Sequence, residues 1–202
     1  MARNTSREIF LEAVITEVAE CGLENLRTKN IAVRAGYSEA MMFRYFSSKD
    51  EMLQKAFLVV DHRVSSIISS GAYLKRLRES GSDEAFAAIA HEAWQAVFHY
   101  LLEHPSDTLY LLRFRYCALY NEEIRSQRQA YSGAFDEIYS VLQTRFGAPV
   151  NTSRGFVLNY SFDLTLCLAE KIVSGRIKFT QEVEERLWAT IRAAVLTITQ
   201  MH

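Results

Sequence analysis

Apolar side chains recur every three to four residues along most of the chain, with no sustained apolar–polar alternation, so helices are expected throughout and the fold class is all-α. The first helix is predicted at Thr5, which with Glu8 has capping-box spacing, and it places Ile9, Phe10, Ala13, Val14 and Val18 on one face. Gly22 is its natural stop. The loop "LENLR" then brings Thr28 as N-cap of a brief helix ending near Ala35, followed by a turn at Gly36 and Tyr37. Ser38 is predicted to cap a third helix reaching about Phe46, and Ser48 with Glu51 forms a further capping box.

Longer amphipathic stretches follow, predicting helices near 49–77, 82–103, 106–119, 121–146, 152–174 and 181–201. Gly81 with Ser82, Pro105 after His104, "FGAPVN" and "SGRIKFT" punctuate them. There is no internal repeat, low-complexity tract or long linker. The expected organisation is a small three-helix amino-terminal domain, residues 1–48, packed on a larger helical domain, residues 49–202.

Two short helices joined by a glycine turn match the helix-turn-helix pattern. Ile31, Ala32 and Ala35 give the first an apolar face with small residues, which allows close crossing; Met42 and Phe46, four apart, should bury against it. Glu39, Ala40, Met41, Phe43, Arg44 and Tyr45 are left to the outer sides.

Charge sharpens this picture. The 202 residues carry a formal net charge of −1, yet Arg27, Lys29, Arg34, Arg44 and Lys49 face only Glu39 between positions 27 and 49, a local excess of +4. A basic patch on an acidic body suits a phosphate backbone. Cys21, Cys117 and Cys167 are far apart and odd in number, which reads as reduced core thiols. "MARNTSREIF" has no apolar signal core and no apolar run approaches membrane-spanning length, so a cytoplasmic protein with no membrane partner is expected.

The segment "TKNIAVRAGYSEAMMFRYFSSKDEML" resembles the DNA-binding signature of the TetR family of bacterial transcriptional regulators, with its glycine turn, capping serine, aromatic pair and following lysine. The resemblance covers the first quarter of the chain; the rest agrees in length and helical organisation. It implies that Thr28 contacts phosphate and that Lys29 reaches a base edge. It implies further that Ser38, Glu39, Ala40 and Met41 open the recognition helix, and that Tyr45 and Lys49 contact phosphate. Two positions depart from the family pattern: Ala40 stands where glycine is frequent, and Phe43 where tyrosine is usual, which keeps ring contact but loses a hydroxyl bond to phosphate. Arg44 is read either as a DNA contact or as a solvated charge, and Glu39 either as a cytosine reader or as a partner of the helix dipole.

One helix-turn-helix covers one half-site, so a homodimer is expected, with heads about 34–36 Å or a multiple apart. Its surface is assigned to the last two helices, which are apolar on more than one face, with Leu166, Leu187, Ile191 and Val195 as candidates. The resemblance implies the same four-helix arrangement. Asn159 and Asp163 are read as setting its register or as lining a pocket.

Between head and dimer helices lies an aromatic-rich middle, mostly ordinary core, from which Trp94, Phe98, Tyr110, Arg113, Phe114 and Phe135 are candidates for an effector pocket. Arg113 and Arg115 have two readings, an anionic ligand or pairing with Glu122, Glu123 or a partner subunit. His91, Gln95 and His99 share a face without the carboxylate or cysteine a metal needs, so neither metal nor cofactor is expected.

No nucleophile elbow, zinc-protease helix or phosphate-binding glycine loop is present, which argues against an enzyme. The expected function is a homodimeric DNA-binding regulator, a repressor released from its operator by an unidentified small-molecule effector. The alternative is a constitutive DNA-binding or architectural dimer without an effector.

Overall fold

The computed structural model describes residues 5–69, 72–131, 133–146 and 154–200, and within them the side chains other than those of 128–136, 138, 139, 146, 154–158 and 198–200. Among the described residues there are eleven helices and no strand: α1 (Ser6–Cys21), α2 (Thr28–Ala35), α3 (Glu39–Met42), α4 (Lys49–Ser69), α5 (Ala72–Glu79), α6 (Asp83–Glu103), α7 (Pro105–Arg115), α8 (Glu122–Tyr131), α9 (Gly133–Phe146), α10 (Arg154–Val173) and α11 (Gln181–Gln200). None of the described helices is long and apolar enough to cross a membrane.

Local chemistry accounts for most starts and stops. Thr5 and Glu8 close a full capping box, with the Glu8 amide donating to Thr5 Oγ1 at 3.3 Å and the Thr5 amide to Glu8 Oε2 at 2.7 Å. Pro105 opens α7, where its missing amide costs nothing. Ser48 caps α4, but the reciprocal bond slips by one residue: the Glu51 carboxylate takes the amide and hydroxyl of Ser47, at 2.7 and 2.6 Å. Those two donors, foremost the hydroxyl, hold the Glu51 carboxyl below its usual range.

Four expected boundaries change. The 49–77 stretch forms α4 and α5, and the 121–146 stretch α8 and α9; serine and glycine lie at both junctions. The 106–119 helix ends at Arg115, and Asn121 then caps α8 by accepting the Ile124 amide at 3.1 Å. The helix expected to reach Phe46 is regular only to Met42. Beyond it, the Arg44 and Tyr45 amides bond three residues back, to Met41 and Met42 carbonyls at 3.2 and 3.0 Å, a tightened turn before the serines that start α4.

The helices sort into two units. The first holds α1 to α3, α4 up to His62, α7 and nearly all of α8. Here α1 packs on α2 and α7, and α2 on α3. Phe10, Val14, Ile31, Met42, Phe46, Phe57, Tyr110 and Phe114 are fully buried. Phe57 stacks on Phe114 with centroids 4.8 Å apart and meets Tyr120 edge-on at 5.2 Å. The Tyr110 hydroxyl donates to the Leu53 carbonyl at 2.6 Å, and its burial pushes the phenol well above its ordinary pKa.

The second unit starts at Arg63 in α4 and contains α5, α6, α9, α10 and α11. Here α6 packs on α5 and α10, and α10 packs on α9 and α11. Its core includes Leu77, Phe86, Phe98, Leu142, Leu166 and Ile191. Buried Glu184 on α11 accepts from Gln95 and bonds His99, both on α6 and both at 2.9 Å, so a carboxylate that burial would penalise has its partners. Arg76 clasps Glu92 through two bonds at 2.7 and 3.1 Å, and Arg145 meets Asp83 at 2.8 Å.

Candidate functional site

The amino-terminal site is built around Gly36. At φ 74° and ψ 25° this residue ends α2 in the left-handed region: its amide reaches Val33 O, and the Tyr37 amide reaches Ala32 O, both at 3.0 Å. A methyl group there would meet nothing within 4 Å, so the need for glycine is conformational, not steric. The turn aims α3 away from α2, and Ser38 caps it by accepting the Met41 amide at 3.2 Å.

Ile31, Met42 and Phe46 are buried as their spacing requires. Outside them stands a surface of exposed rings: Phe43 is 48% exposed and Tyr45 38%. Glu39 and Met41 are half-buried, and Ser38, Ala40 and Arg44 are exposed beside them. Val33, 71% exposed, and Tyr37, which meets the Phe10 ring at 5.4 Å as Tyr45 does at 6.2 Å, are further exposed apolar side chains of this segment. The signal was present in "IAVRAGY", where Val33 falls off the buried Ile31–Ala35 face.

Thr28 is the first residue of α2 and not its cap; the cap is Arg27, which contributes no side-chain bond. The Thr28 hydroxyl donates instead to the Glu39 carboxylate, tying the start of α2 to the start of α3. Lys29 is exposed, while Lys49 is half-buried, with Nζ 3.4 Å from the Leu26 carbonyl. Arg34 is committed elsewhere, bonding Glu17 at 3.0 Å and Glu20 as well. The basic patch therefore rests on Arg27, Lys29, Arg44 and Lys49.

A second candidate site is a cavity of about 430 Å³ in the α5–α6–α9–α10–α11 unit. Phe86, Trp94, Phe162, Trp188, Ile191 and Val195 form much of its wall, and alanines 87, 90 and 93 of α6 leave room for it. Trp94 is held by its indole N–H, which donates to Thr165 Oγ1 at 3.0 Å; that hydroxyl donates in turn to the Ser161 carbonyl at 2.8 Å. Trp188 stacks on His91 with centroids 4.8 Å apart, and Trp94 on Phe98 at 5.0 Å. Thus His91 serves a ring stack and His99 a carboxylate.

The structure separates the residues expected at an effector pocket. Trp94 lines the cavity, whereas Phe98 is fully buried behind it and is not part of the wall. Tyr110, Arg113 and Phe114 belong to the other unit and are used there: Tyr110 and Phe114 in the ring stack, and Arg113 as donor to the Val18 carbonyl in the last turn of α1. Arg115 lies over the Tyr120 ring, 5.6 Å from its centroid. The Phe135 side chain lies outside the described residues.

The residues expected at a dimer surface all lie on α10 and α11. Leu166 and Ile191 are buried within a single chain, and Ile191 and Val195 line the cavity, because α10 and α11 must cover a hollow unit as well as each other. Asn159, Asp163 and Leu187 are half-buried. Trp188 and Arg192 were missed, although Trp188, Ile191, Arg192 and Val195 repeat at helical spacing on one face.

Residues 10–56 match the family model of bacterial regulatory proteins, tetR family. Comparison with curated proteins gives no match. Among solved structures, a TetR family transcription regulator from Marinobacter aquaeolei VT8 aligns over 94% of each chain at 22% identity and TM-score 0.73. A putative tetR family regulator from Shewanella sp. PV-4 aligns over 98% of this chain and all of its own at 17% identity and TM-score 0.75. A putative TetR family regulator from Vibrio parahaemolyticus covers 95% of this chain and 97% of its own at 19% identity and TM-score 0.65. The amino-terminal segment, residues 10–56, is thus similar to that family's regulatory proteins, and the whole chain shares the fold of solved structures described as members of it.

Proposed function

We propose that the protein is a DNA-binding transcriptional regulator that acts as a homodimeric repressor and leaves its operator when a small molecule occupies the helical body. The observation that carries this reading is the amino-terminal face: a left-handed glycine turn, a capped short helix, and exposed Phe43 and Tyr45 in a segment that also exposes Arg27, Lys29 and Arg44. In this reading residues 1–48 form the reading head and 49–202 the effector-binding and dimerisation domain. Thr28, Tyr45 and Lys49 meet phosphate; Lys29 and the start of α3 meet base edges. The cavity favours an effector over a constitutive architectural dimer, because an aromatic-walled hollow of about 430 Å³ would otherwise forfeit packing.

Release needs a ligand that binds the DNA-incompetent state better, and DNA must weaken that ligand by the same factor, typically about 1–3 kcal/mol of coupling. The dimer surface is proposed on the outward side of α10 and α11, where Tyr160, Thr190 and Thr197 are exposed, on a face of α11 turned away from Arg192.

Selection of duplexes from a randomised DNA pool is expected to enrich a palindrome, and Tyr45→Ala and Lys29→Ala should each weaken its capture. Absence of enrichment at low and moderate salt, with and without candidate ligands, would overturn the DNA reading. On the selected duplex, Lys49→Ala should flatten the dependence of log affinity on log salt by about one unit if its ammonium neutralises one phosphate. An unchanged slope would return Lys49 to its bond with Leu26.

A further inference from the structure

We infer that the cavity takes an amphipathic monoanion, a carboxylate on an apolar body, with Arg192 as its counter-ion; this rests on the effector reading for its biological use but not for its chemistry. The wall is apolar and aromatic, so the body of the ligand must be apolar. Its polar groups decide the rest. Asp83 is already matched by Arg145, which also donates to the Ser80 carbonyl and hydroxyl at 2.9 Å. The Thr165 hydroxyl is engaged on both sides, by the Trp94 indole and the Ser161 carbonyl. A polyhydroxylated ligand would therefore find few open partners and would desolvate its own hydroxyls at a cost.

Arg192 differs from these groups. It lines the cavity, it is exposed, and among the described residues it has neither an ion-pair nor a hydrogen-bond partner. A lone guanidinium at the edge of an apolar hollow repels cations and offers a planar fork to a carboxylate. Because it is exposed, the bound anion keeps water on one side while its apolar body enters, which avoids the cost of burying an ion. Arg192 stands one turn from Trp188 and next to Ile191, so the counter-ion and two wall residues come from the same stretch of α11.

The chain has two tryptophans, and both Trp94 and Trp188 line the cavity, so intrinsic fluorescence reports occupancy without DNA. The test titrates the purified protein at pH 7 with decanoate, decanol and decyltrimethylammonium. Decanoate should bind roughly fivefold or more tightly than decanol, with the cation weakest. Arg192→Gln should remove the preference for decanoate and leave decanol unchanged; Arg192→Lys should keep part of it. Shortening decanoate should cost about fourfold per methylene.

Equal binding of acid and alcohol, a preference that survives in Arg192→Gln, or no binding of any probe would overturn the assignment. Operator release is read separately on the selected duplex. Decanoate that binds with the stated preference yet leaves the operator complex intact would support the ligand chemistry while sinking the effector reading.

Discussion

Phe57→Ala should lower the unfolding free energy by about 3–5 kcal/mol, the usual range for removing a fully buried phenylalanine. Phe57 is the central ring of its cluster: it stacks on Phe114 and meets Tyr120 edge-on, so truncation removes two aromatic contacts and opens a hole that three different helices or turns would have to close. Phe57→Leu, which keeps much of the volume, should cost less than half as much. Denaturant titration at fixed protein concentration separates the two, since association would otherwise shift the midpoint. Equal losses for both variants would mean that ring geometry, not volume, is what the site requires; a loss near zero for Phe57→Ala would contradict the packing described.

Phe46→Ala should lower operator affinity by about two orders of magnitude, or about 2.7 kcal/mol. Phe46 does not face DNA in the proposed reading: it is 1% exposed, with the Arg7 guanidinium 5.5 Å from its ring centroid. Its role is to hold the tightened turn 43–45 that carries Phe43 and Tyr45, and a recognition segment displaced by even an ångström loses its contacts. Fluorescence of Trp94 and Trp188, both in the other unit, serves as the control and should be unchanged where binding is lost. Retained affinity would mean that the exposed rings are positioned by something other than this core.

Sequence legibility followed the range of the interactions. The Thr5–Glu8 box, the Ser38 and Ser48 caps, the Gly36 turn and the buried trio Ile31, Met42 and Phe46 are all local, and pattern reasoning reached them. The amino-terminal candidate face follows from these positions. The cavity does not follow, because its supports join residues far apart in the chain. Trp94 and Thr165 are 71 positions apart, and His99 and Glu184 are 85. The same distance explains Arg113: charge inside "LYLLRFRY" has no local reason, and its partner is the Val18 carbonyl, 95 positions away. Apolar periodicity on α10 and α11 could say that more than one face was covered, but not whether a partner subunit or an internal hollow covered it.

The exposed rings of the amino-terminal face bear on how the protein behaves in the hand. Val33, Tyr37, Phe43 and Tyr45 present apolar area to water in a segment that also exposes Arg27, Lys29 and Arg44. Concentrated salt, the usual means of stripping adventitious nucleic acid from a basic surface, screens those charges and, with sulfate or phosphate as the anion, also strengthens apolar association. The treatment that clears this face of polyanions is thus the one under which it becomes most prone to colloidal self-association, and a chloride salt with moderate arginine suits such a surface better than ammonium sulfate.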